Sequence, residues 1–175
     1  MKAGSILAII GAIVGLISIL LSFLVPQYFG WYRIEVSSGG SILGGIYITG
    51  FGTIVTVPPG GPIQIATLVL IGGILLIIGA ILCIIGVVIK RKTPISVGGI
   101  LMIVTPLLLT LDVQIISGDF FLSVLNLLGG PTSASMIWGS YVVGPGILLS
   151  WGIWIGSFMA FGAGIIGLLG ASSEL

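Results

Sequence analysis

The chain is predicted to be an all-α membrane protein: a four-transmembrane-helix bundle with a small antiparallel β-sheet in the first outer loop and a short amphipathic helix in the second. Three observations predict it. Of 175 residues, 57% are hydrophobic and 5% charged, with a mean hydropathy of +1.39, whereas an ordinary soluble domain carries roughly 25% charged residues. Five Lys/Arg and four Asp/Glu cannot clothe a water-facing surface, so lipid must cover most of the molecule. Apolar runs of membrane-crossing length recur four times. Strand-like alternation is concentrated in one connecting stretch.

The runs span about 5–25, 62–89, 94–111 and 146–170. Crossing ~30 Å of hydrocarbon takes about 20 residues, and backbone groups without water must bond within a helix. Pro26 stops the first run. That run could imitate a signal peptide, but it is too long for a typical apolar signal core and no small-residue cleavage pattern follows it. It is read as a retained helix. Pro62 suits a first helical turn, and Thr93 is placed to cap the third helix. The whole chain, 1–175, reads as a single transmembrane domain with outer loops at about 26–61 and 112–145.

The first loop carries the strands. Trp31–Val36 alternates polar and apolar residues, Ser37–Gly40 is a turn cluster, and Ile46–Thr49 and Thr53–Val57 are rich in β-branched residues. The second loop holds Asp119–Leu128, a short amphipathic helix ended by Gly129–Gly130–Pro131, apolar enough to lie on the membrane or the bundle.

Orientation follows from the basic residues. Lys2 and the run Lys90, Arg91, Lys92 face the cytoplasm if both termini are inside, and only Arg33 lies opposite. Tyr28, Trp31, Tyr32, Trp138, Tyr141, Trp151 and Trp154 fall near the outer helix ends and read as an interfacial belt.

The residue inventory excludes much chemistry. Histidine is absent, which removes a Ser–His–Asp triad and histidine-ligated haem, copper or zinc. Cys83, the lone cysteine, lies in an apolar run and reads as a packing thiol. Paired carboxylates for glycoside hydrolysis and phosphate-binding glycine loops are missing. No catalytic, metal or cofactor site is expected, and the chain is not expected to be an enzyme. A net charge of +1 gives no case for nucleic acid. Asp112 and Asp119 read as solvated loop carboxylates rather than the lining of a vestibule, and Arg33 and Glu35 as a water-facing pair. Pro106 is expected to kink the third helix.

Small residues form the most regular pattern. Gly152, Gly156, Ala160 and Gly164 recur four apart and are expected to make one helix-association groove. Either a partner helix or another helix of the same chain could fill it.

With its short cytoplasmic N-terminus, β-rich first loop, tight basic turn and shorter second loop, the layout resembles the claudin-like four-helix membrane proteins. The resemblance is one of architecture. Trp31 follows the first helix as the family's tryptophan does, while Gly-Leu-Trp and the cysteine pair are absent. The expected function is lateral association, as an accessory subunit of a membrane complex or a component of an array or envelope. The alternative is a small oligomeric pore or transporter. Partners are membrane lipids and other subunits or further copies, in the plasma membrane or a membrane envelope.

Overall fold

The computed structural model describes residues 2–57, 64–113, 118–131, 133–135 and 137–174. Four long helices, α1 (Ala3–Leu24), α3 (Thr67–Val88), α4 (Lys92–Leu111) and α6 (Ile155–Ser172), are each long and apolar enough to cross a membrane. α1 packs on α3 and α6, and α4 closes the ring from the other side. Two short helices, α2 (Pro26–Phe29) and α5 (Gly118–Leu127), lie outside the bundle proper.

The bundle is packed small-side-in. Ala8, Ala12, Ala80, Ala160 and Ala163 are fully buried, while Ile13, Leu20, Phe23, Ile81, Ile100, Leu107 and Phe158 point outward. A water-soluble bundle does the reverse, because large apolar side chains gain most from leaving water. The interior contacts are backbone on backbone. A Cβ on Gly79 would stand 2.6 Å from the Gly98 carbonyl oxygen, one on Gly164 2.7 Å from that of Gly99, and one on Gly4 2.6 Å from that of Gly170. Thr105 adds a hydroxyl that donates to the Gly72 carbonyl at 2.9 Å, tying α4 to α3.

Six strands form one antiparallel sheet at the far end of the bundle from Lys90–Lys92. They are β1 (Tyr32–Ser38), β2 (Ser41–Ile48), β3 (Thr53–Val57), β4 (Gln64–Ile65), β5 (Trp138–Gly144) and β6 (Ile147–Ile153), in the order β4-β3-β2-β1-β6-β5. Gly39 and Gly40, both with positive φ, make the two-residue turn whose twist suits a hairpin. Pro145 and Gly146, the latter at φ +73°, make the β5–β6 turn with proline first and left-handed glycine second.

The first-loop strands, the α5 helix and the presence of four long helices agree with the sequence reading. The bounds of the fourth run do not. The sequence predicts helix from about 146, but residues up to Ile153 are strand β6 and α6 begins at Ile155. The sheet is correspondingly larger than the sequence predicts, since β6 pairs with β1 across its whole length. The third helix starts at Lys92 with Arg91 as its cap residue, so Thr93 is inside the first turn rather than capping it. The second helix starts at Thr67, and Pro62 falls outside the described residues. α3 ends with Lys90 at φ +53° and an Arg91 amide bonded to the Gly86 carbonyl, a left-handed cap that turns the chain directly into α4.

One connected core runs from Ala8 in the bundle to Trp31, Ile34 and Trp151 in the sheet. Bundle and sheet are therefore welded rather than hinged. The Gly50 amide donates to the Ser22 hydroxyl at 2.7 Å, the Ser157 hydroxyl to the Trp31 carbonyl at 2.8 Å, and the Gly156 amide to the Gly30 carbonyl at 3.1 Å.

Candidate functional site

The chemistry of this chain is concentrated on β1. Arg33 and Glu35, two apart, share one face of the strand. Arg33 pairs in register with Tyr47 on one side and Gly152 on the other; Glu35 pairs with Gly45 and Ser150. The side chains close into a row. Arg33 forms an ion pair with Glu35 at 2.5 Å, the Tyr47 hydroxyl donates to the second Glu35 oxygen at 2.9 Å, and the Arg33 guanidinium lies over the Trp154 ring, 3.2 Å from its centroid. Trp138 tilts against Trp154 at 6.4 Å.

Glycine makes this row possible. The Tyr47 ring reaches Glu35 only by lying over Gly45, where a Cβ would stand 2.8 Å from the phenol oxygen. Trp138 lies over Gly152, whose φ of +149° also excludes an ordinary side chain. On the opposite face Trp151 covers Gly139 and donates its indole N–H to the Ser135 carbonyl at 2.9 Å.

The water-facing reading of Arg33 and Glu35 is thereby corrected. Glu35 is 4% exposed because the β5–β6 hairpin and Trp154, brought in from over 100 residues away, complete its surroundings. Burial lowers the Arg33 guanidinium from its ordinary value, with Glu35 opposing, and an arginine so placed stays charged at neutral pH. Tyr47 is pushed up by burial first and then by its bond to Glu35, and Tyr32 is pushed up by burial. Both Glu35 oxygens already accept hydrogen bonds from protein groups, one from Arg33 and one from Tyr47.

The expected aromatic belt is corrected too. Trp31, Tyr32 and Trp151 are buried, whereas Tyr28, Trp138 and Tyr141 are exposed. Trp31 fits between Gly50 and Gly156, each lacking the side chain that its indole would strike. Sequence position alone cannot separate an interfacial tryptophan from one slotted between glycines.

The four predicted association residues do not form one groove. Gly152 is in β6. Gly156, Ala160 and Gly164 are on α6 and buried within the chain, Gly156 under Trp31 and Gly164 against Gly99 and Ile103 of α4. Asp112 is buried at the end of α4 rather than solvated. Asp119 lies in the first turn of α5, and its side chain lies outside the described residues. Pro106 sits inside α4. Among the described residues, no three of Cys, Asp and Glu gather as metal ligands would.

The feature that sequence reading misses is the β5 edge. β4, at one edge of the sheet, is two residues long; β5, at the other, is seven, and among the described residues no strand pairs with its outer side. It carries no charge and no proline, and Trp138, Tyr141 and Val142 are exposed on it. The Pro145–Gly146 turn is a usable signal, masked by the apolar run that follows it. In comparisons with known proteins, no protein-family model matches this chain, and no curated protein matches it.

Proposed function

We propose that the chain is a multi-pass membrane protein that works without catalysis, by lateral association of copies through the β5 edge of the sheet. The observation that carries this reading is the unprotected edge. Sheet edges are ordinarily blunted by proline, charge or short length, because unpaired N–H and C=O groups recruit further strands. β4 is short in this way, whereas β5 is seven residues long and carries neither proline nor charge, its one register shift falling between Val142 and Gly144 at the turn end. An antiparallel strand is its own complement under a two-fold rotation, so two β5 strands can join two sheets. The small-residue stripe of α6 is filled from within, which leaves the sheet edge as the better-supported contact.

Both termini and the basic turn are proposed to be cytoplasmic. Lys2, Lys90, Arg91 and Lys92 lie at one end of the bundle and only Arg33 at the other, the distribution that the positive-inside tendency favours. The pore alternative draws less support, because Ser22, Thr105 and Ser157 bond to backbone groups instead of lining a path.

The test is a Tyr141→Cys variant oxidised in native membranes. Cys83 is buried and serves as the silent control. A disulfide-linked dimer, lost when Val142 is also changed to Lys, is the expected result. A cross-link to a different protein would replace self-association with an accessory-subunit role. A chain that stays monomeric would remove the β5 reading altogether.

A further inference from the structure

We infer that the cavity between the end of α5 and the apolar face of the sheet holds one acyl chain of a membrane phospholipid. The inference rests on the reading of this chain as a membrane protein and adds a ligand to it. Ile34, Val36, Gly44, Ile46 and Thr56 share one face through their strand register, and Leu127 and Leu128 form the opposite wall. The space between them is about 350 Å³, within the range of sites that bind small ligands.

Three features identify the occupant. Among the described residues, Thr56 alone brings a polar side chain to the lining, so a ligand that needs several hydrogen bonds gains nothing, and water gains little more. Gly44 stands opposite Val36 without a side chain, which leaves the floor of the cavity open where an ordinary residue would fill it. The neighbouring part of the same face is closely packed: a Cβ on Gly130, just beyond α5, would stand 2.7 Å from Leu149. Among the described residues, close cover therefore stops at the cavity rather than being loose throughout. The surroundings are apolar too. Leu127, one of the lining residues, is itself 86% exposed. An apolar cavity with an exposed aliphatic wall suits a straight hydrocarbon chain, and the bilayer that the four helices require is its source.

The test reconstitutes the full chain in phosphatidylcholine vesicles containing a phospholipid with a diazirine in one acyl chain, followed by photolysis and peptide mapping. Label is expected in β1–β3 and at the end of α5, in addition to the general labelling of lipid-facing helices. Ile46→Trp fills the cavity. Leu127→Asp places a charge at an exposed position where folding is not at stake. Ile46→Trp removes the room that an acyl chain needs and Leu127→Asp sets a charge against it, so sheet labelling should be lost in each folded variant while helix labelling stays constant. Sheet labelling that persists in a folded variant of either kind overturns the proposal. So does sheet labelling seen with a diazirine free fatty acid but not with the phospholipid. Failure of the membrane reading itself would show separately, as release of the chain from native membranes by alkaline carbonate.

Discussion

The bundle and the sheet both depend on glycine, but for opposite partners. In the bundle a glycine faces another helix's backbone: Gly79 meets the Gly98 carbonyl, Gly164 that of Gly99, and Gly4 that of Gly170. In the sheet a glycine faces an aromatic ring: Gly45 lies under Tyr47, Gly139 under Trp151 and Gly152 under Trp138. The two halves also differ in charge. The buried polar groups of the long helices are hydroxyls, apart from Asp112 just past the end of α4, while the sheet buries the Glu35 carboxylate against a half-buried Arg33. Close backbone approach is what dispersion rewards where lipid offers no hydrophobic drive. Rings over glycines are what give a sheet its packed faces where side chains are otherwise too few. One residue type thus serves two packing regimes in one chain.

The largest expected effect tests the charge difference. Arg33→Met should destabilise the protein by about 3–5 kcal/mol, because it leaves the Glu35 carboxylate buried without its cation. Thermal unfolding in detergent micelles measures it, and adding Glu35→Gln should recover most of the loss. A cost below about 1 kcal/mol would place the pair in the class of solvated surface bridges and undo the contrast between the two halves.

The next effect tests the glycine difference directly. Gly98→Ala and Gly139→Ala should each cost about 1–3 kcal/mol through overpacking. Their rescue should differ. Trimming Trp151 to Leu removes the ring atoms that the methyl introduced by Gly139→Ala would strike, so that pair should show a coupling energy of about 1 kcal/mol. The Gly79 carbonyl that opposes the methyl introduced by Gly98→Ala cannot be trimmed, and shortening the neighbouring side chain by Cys83→Ala should recover little. Equal coupling in the two pairs would mean that ring and backbone contacts are not distinct regimes.

Much of this architecture is legible in the sequence, and the gaps have physical causes. Four helices follow from four apolar runs, and β1 to β3 from β-branched alternation broken by Gly39–Gly40. The β5–β6 hairpin is hidden because Ile147–Ile153 is as apolar as the helix after it, so a hydropathy window merges them; only Pro145–Gly146 marks the boundary. β6 then pairs with β1 at a sequence separation that no local pattern encodes. The burial of Glu35 is unreadable for the same reason. Alternation says that Arg33 and Glu35 share a face, but Trp154 and the hairpin that cover them arrive from the other end of the chain. The α6 stripe has the opposite problem: its spacing is visible, but its partners, Trp31 and Gly99, are not.

The smallest effect separates the halves by pH. All four tyrosines, Tyr28, Tyr32, Tyr47 and Tyr141, lie at the sheet end, as do all four tryptophans. Burial raises the Tyr32 and Tyr47 phenols above their ordinary value, and the bond to Glu35 raises Tyr47 further. The unfolded chain therefore releases these protons first, as pH passes about 10. The stability they contribute is complete below that pH and declines above it. At pH 10.5 the loss should be under about 1 kcal/mol for each buried tyrosine. Tryptophan fluorescence reports the sheet end, and far-ultraviolet circular dichroism is dominated by the helices. As pH rises through about 10 to 11, the urea midpoint by fluorescence should fall before the helical signal does. The discriminating variant is Tyr47→Phe. It starts lower at neutral pH for want of the Glu35 hydrogen bond, yet should lose less on alkalinisation than the parent. A parallel decline in both proteins would mean that Tyr47 ionises as freely in the folded state as in the unfolded, and that its ring does not seal the ion pair from water.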